Sequence, residues 1–125
     1  MIKETIWGIM DIEFNDKKIK KVCNDYKEAR KAFGDDVAKK LHMALNFITH
    51  AETLNDVAQM PTYRLHPLKG DRKGSYAIDL GRKLGFRLIL IPLDKCGHKW
   101  IENDINLIYR STTTIILMEV SNHYE

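Results

Sequence analysis

The sequence predicts an α+β fold: two N-terminal helices packed on one face of a mostly antiparallel, twisted sheet of about four to five strands. Three observations carry this. Between residues 19 and 48, apolar side chains recur at three- and four-residue spacings. After Pro61 the apolar period falls to two. Turns rich in glycine and basic residues then separate the alternating runs.

Taken in order, the apolar-rich stretch from Ile6 to Phe14, with Ile12 and Phe14 alternating against Asp11 and Glu13, reads as a first strand. Asn15 or Asp16 can cap a helix whose face is Ile19, Val22, Cys23, Tyr26, Ala29 and Phe33, ending at Gly34. Asp35 and Asp36 can cap a second helix with Val37, Leu41, Ala44, Leu45 and Ile48 as its buried stripe. Residues 53–60 hold one more helical turn, with Thr53 as cap and Pro61 just past its end. Tyr63, Leu65 and Leu68 read as a short strand, followed by a basic turn at 69–74. Tyr76, Ile78 and Leu80 mark a half-buried strand, 86–93 a central apolar one and 112–120 the last. The stretch 94–110 reads as an insertion in a hairpin, partly ordered by Trp100, Ile105, Leu107 and Ile108.

At 125 residues and 44% hydrophobic content the chain reads as a single domain, 1–125, with one modest core. The net charge is only +3, but between Arg64 and Arg87 seven cations face two acids, a local excess of five. Such a concentration is what a phosphate-binding surface needs, and is equally what a solvated basic hairpin shows. Cys23 and Cys96 follow no metal spacing and are expected reduced, in the cytoplasm. Glu4 and the lack of a small-residue cleavage site argue against a signal peptide, and the longest apolar run, 88–93, is too short for a membrane helix. The glycine patterns of nucleotide-binding loops and nucleophile elbows are absent.

Metal-independent RNA cleavage needs a group to take the 2′-OH proton, a group to neutralise charge on the pentacoordinate phosphorus, and a group to protonate the leaving 5′-oxygen. Histidine suits the first and third roles and arginine the second. The run Tyr63-Arg64-Leu65-His66-Pro67-Leu68-Lys69-Gly70-Asp71-Arg72 supplies both types together. In a regular strand His66 alternates away from Leu65, onto the face opposite the core. Arg87 lies on a nearby strand. The C-terminal His123 and Tyr124 add two proton carriers, although a frayed end is the commoner meaning of such a tail. Cys96 and His98 are too few for a structural zinc site, His42 and His50 lie off the apolar stripe of the second helix, and Lys17, Lys18, Lys20 and Lys21 form the polar face of the first.

The run RLHPLKGDRKGSYAIDL, residues 64–80, resembles the central motif of HigB-like ("plasmid maintenance system killer") toxins of the RelE/ParE superfamily. GFRLIL (85–90) resembles the superfamily's aromatic-Arg-aliphatic strand, and EVSNHY (119–124) its acidic-aromatic-histidine ending. The resemblance implies a RelE-like fold and a cytoplasmic toxin of a type II toxin–antitoxin system. Such a toxin is a ribosome-dependent mRNA endoribonuclease, cutting in the 30S A site without a cofactor or metal. Its implied partners are mRNA, the ribosome and a cognate HigA-like helix-turn-helix antitoxin, with a toxin–antitoxin heterotetramer as one assembly; a membrane is not among them. Carried over by position, His66 resembles the catalytic histidine, and His123 and Tyr124 the C-terminal His/Tyr pair. Arg87, which belongs with the catalytic set, resembles a phosphate-contacting base, as do Lys69 and Arg72. Arg64 and Lys73 extend the RNA-binding set, and Tyr76, where a tryptophan is frequent, is a base-stacking or packing residue. The family's ending is often Asp-Tyr-His, whereas here it is Asn122-His123-Tyr124. The alternatives are a non-nucleolytic ParE-like toxin acting on gyrase and a ribosome- or RNA-binding module without cleavage.

Overall fold

The structure, a computed structural model, describes residues 2–4, 9–81 and 83–122. The helical part of the chain begins where the Asp16 side chain accepts the Ile19 N–H at 3.0 Å, capping helix α1 (Lys17–Asn24). The expected single helix running on to Gly34 is broken at Asp25. That residue is extended, and its carboxylate accepts the Lys27 N–H at 2.9 Å to start helix α2 (Tyr26–Phe33). A short acidic side chain that bonds its own backbone competes with helix continuation, so three helices stand where two were expected. Gly34, at φ +89°, turns the chain into helix α3 (Asp35–Thr49), whose Val37, Leu41, Ala44 and Ile48 are buried as its periodicity predicts, with Leu45 of the expected stripe only half-buried and Ala38 buried beside it. Thr53 caps the short helix α4 (Leu54–Ala58) through its hydroxyl.

The strand expected across Tyr63 to Leu68 is mostly absent. Pro61–Tyr63 forms a 3₁₀ turn, Arg64 is left-handed at φ +44°, and only His66–Pro67 is strand. Naming strands in chain order, β1 (Ile2–Glu4), β2 (Asp11–Phe14), β3 (His66–Pro67), β4 (Tyr76–Asp79), β5 (Phe86–Leu93) and β6 (Thr114–Asn122) form one sheet in the order β1-β2-β6-β5-β4-β3. Every pairing is antiparallel except β2 with β6. The first strand expected at Ile6 to Phe14 lies in part outside the described residues. The expected insertion is not a plain loop: Asp104 accepts the N–H groups of Asn106 and Leu107 and starts helix α5 (Ile105–Ser111). Trp100 Nε1–H donates to Thr112 Oγ1 at 3.0 Å, tying the loop to the foot of β6.

The helices pack on one face of the sheet, around Ile12, Phe14, Leu41, Ile48, Ile78, Leu88, Leu90, Ile115 and Leu117. Ala77, Ile89 and Ile91 are also buried but lie outside that cluster, on the face without helices. No helix among the described residues is long and apolar enough to cross a membrane.

Candidate active site

Cross-strand register decides which side chains share the helix-free face. His66 pairs with Ala77, Ala77 with Ile89, and Ile89 with Glu119. Two residues along, Asp79 pairs with Arg87 and Arg87 with Ser121. Directly paired residues point to the same side of a sheet. His66, Asp79, Arg87, Glu119 and Ser121 therefore stand together, with the first and last strands of the group about 15 Å apart.

A β-bulge makes this possible. Ile89 faces Glu119 but Leu90 faces Leu117, so Met118 is the extra residue on β6. Ile115 and Leu117 face the helices, and unbroken alternation would send Glu119 after them into the core. The bulge moves Glu119 and Ser121 to the other face, beside Arg87.

The charges on this face are unevenly satisfied. Arg64 donates to Asp79 Oδ2 at 3.1 Å, and Arg72 to Glu119 Oε2 at 3.3 Å. The second pair joins the turn beyond β3 to β6, across β4 and β5. Arg87 has Asp79 as its cross-strand neighbour, but that carboxylate is held by Arg64. Among the described residues Arg87 has no ion pair, and its Nε is buried with no hydrogen-bond partner. His66 is half-buried, and its Nδ1–H donates to the Arg64 carbonyl oxygen at 2.6 Å. Such a surface can hold an anion at Arg87, with the imidazole of His66 two strands away on the same face.

The expected site residues divide into three groups. His66 and Arg87 share the helix-free face, with Arg64 and Arg72 bound to acids there. Lys69 and Lys73 instead line a groove of about 620 Å³ on the other side of the turn, with Tyr76, Pro92, Lys99, Trp100 and Ile101. The 3₁₀ turn Gly70–Arg72, with Gly70 and Gly74 at positive φ, sends Arg72 one way and the lysines the other. His123 and Tyr124 lie outside the described residues, as does Arg82 of the basic stretch. Of the two roles open to Tyr76, base stacking or packing, the structure shows packing: it is 6% exposed and stands edge-on to Tyr109, at 5.8 Å between centroids. Burial pushes the Tyr76 phenol up, and burial, with Tyr76 alongside, pushes Tyr109 up to about 12.

Asp79 and Glu119 were missed as partners of the arginines. The signal for Glu119 is an acid inside an apolar β-branched run, at a position where plain alternation would bury it. Among the described residues no three His, Cys, Asp or Glu side chains come together as a metal-holding group. Compared with known proteins, the sequence matches no family model and no curated protein.

Proposed function

We propose that the chain is a HigB-like toxin of the RelE/ParE superfamily, a ribosome-dependent mRNA endoribonuclease acting in the cytoplasm and neutralised by a helix-turn-helix antitoxin. The observation that carries the reading is the pairing of an arginine and a histidine on one face. Among the described residues Arg87 has no ion pair, Arg64 and Arg72 hold the two acids that share its face, and His66 stands two strands away. The order of residues in RLHPLKGDR and GFRLIL supports the same reading.

In this reading the scissile phosphate lies against Arg87. His66 takes the proton from the ribose 2′-OH, and the 2′-oxygen attacks phosphorus. The bond to the 5′-oxygen breaks, and that oxygen receives a proton from His123 or Tyr124, leaving a 2′,3′-cyclic phosphate and a 5′-OH. Charge on the equatorial oxygens falls to Arg87. Lys69 and Lys73, with Lys99, offer a separate contact for RNA backbone.

Induced expression tests the class. Pulse incorporation of labelled methionine is expected to fall before that of thymidine, with mRNA fragments carrying 5′-OH ends. Thymidine incorporation falling first, with intact mRNA, would replace this reading by a gyrase-directed one. Arrest of neither process, with salt-sensitive RNA binding alone, would leave a binding module.

A further inference from the structure

We propose that Arg64 is a positioning residue, which holds His66 in its Nδ1–H tautomer and so presents Nε2 as the only bare ring nitrogen. A backbone carbonyl oxygen can only accept, so the 2.6 Å contact from His66 Nδ1 to the Arg64 carbonyl requires the proton on Nδ1. In the neutral ring the lone pair is then on Nε2, which has no hydrogen-bond partner among the described residues. Histidine side chains in water favour the opposite tautomer, so the contact selects a minor form.

The carbonyl is aimed by an unusual backbone. Arg64 is the only non-glycine residue at positive φ among the described residues. For an L-residue that conformation is strained and persists only where the surroundings hold it. Two contacts hold it here. The Arg64 N–H donates to the Pro61 carbonyl at 3.2 Å, closing the 3₁₀ turn, and the guanidinium is fixed to Asp79 on β4. Asp79 is largely buried, with 12% of its side chain exposed, so it is the rigid member of the pair. The chain of cause runs from Asp79 to the Arg64 side chain, from there to the Arg64 carbonyl, and so to the His66 ring. Arg64, expected from its charge to bind phosphate, has its guanidinium engaged in this other task.

The catalytic consequence rests on His66 being the proton acceptor; the tautomer does not. The test is the long-range ¹H–¹⁵N spectrum of the full chain labelled at histidine, with His66 assigned by its loss in His66→Ala. Neutral His66 is expected to show Nδ1–H as the main form, its Nδ1–H to Nε2–H ratio about tenfold above that of a histidine free in water, the shift that one well-made hydrogen bond sets. Arg64→Ala is expected to lower that ratio several-fold, and Arg64→Lys, which can still reach Asp79, to restore most of it. Asp79→Asn, where it folds, is expected to match Arg64→Ala. In cleavage, Arg64→Ala is expected to lower the rate and, because it frees Asp79 beside Arg87, to weaken RNA binding as well, with Arg64→Lys restoring most of both. A predominant Nε2–H form in the wild type, or a ratio unchanged in Arg64→Ala, overturns the proposal. A locked tautomer in a protein that cuts no RNA would overturn the nuclease reading and leave the lock standing.

Discussion

Replacing Arg87 by methionine separates what this residue does for chemistry from what it does to stability. Among the described residues the Arg87 Nε is buried without a partner, and its cross-strand neighbour Asp79 is committed to Arg64. An unsatisfied buried donor costs about 1–3 kcal/mol of folding free energy. Methionine keeps a stem of similar length over the sheet and removes the donor. Allowing for some lost packing, the variant is expected to gain about 1 kcal/mol, or a Tm rise of about 3–5 °C for a chain of this size. Cleavage should move the other way, because removing one positioned donor from a developing oxyanion costs about 10²–10³-fold in rate. Urea denaturation gives the first quantity, and cleavage of ribosome-bound mRNA the second. A variant that cuts within tenfold of wild type would refute the phosphate role. One that loses more than about 1 kcal/mol would refute the claim that the site is held at a cost to stability.

The exposed Arg72–Glu119 pair is worth about 0.2–1 kcal/mol, so Glu119→Gln should leave stability nearly unchanged. With Arg72 released, binding of single-stranded RNA should tighten and its logarithmic salt slope steepen by about one, read by fluorescence anisotropy; weaker binding would contradict the arrangement. Leu90→Ala, fully buried against the helices, should cost about 2–5 kcal/mol in urea denaturation, whereas Ile101→Ser, at a 93% exposed position, should stay within about 0.5 kcal/mol. Burial pushes the Cys23 thiol up from 9.0 to about 12, so below pH 9 the folded and unfolded forms both carry the proton, and stability there does not depend on it. As pH rises from 9 toward 12 the unfolded chain ionises first and stability falls, so thermal melts should decline in that window, less steeply in Cys23→Ala.

Much of the fold was legible because the driving pattern is local. The stripe of α3 and the alternation of β4 follow from which side chains must leave water, and the capping of α1 and α4 from which side chains can accept a backbone N–H. The break at Asp25 was not, because an acid inside an amphipathic run reads as a solvated position until its bond to Lys27 is seen. The parallel pairing of β2 with β6 joins segments a hundred residues apart and leaves no local mark. At the site, alternation about Leu65 put His66 on the face opposite the core and the sequence put Arg87 on a nearby strand, but that the two share a face follows only from the cross-strand register. The division of Arg72 from Lys69 and Lys73 depends on backbone geometry at two glycines, and the exposure of Glu119 on one inserted residue, Met118. Tyr76 was left between base stacking and packing because an aromatic ring beside a basic turn looks the same in sequence whether it faces RNA or Tyr109.

The central claim, that this face cuts RNA through His66, is most directly tested with purified protein, ribosomes and a defined mRNA. Wild type is expected to cleave the message at the A site, leaving 5′-OH ends, and His66→Ala, folded by circular dichroism, to lose at least about 10²-fold in rate. Equal fragments from both proteins would contradict the account.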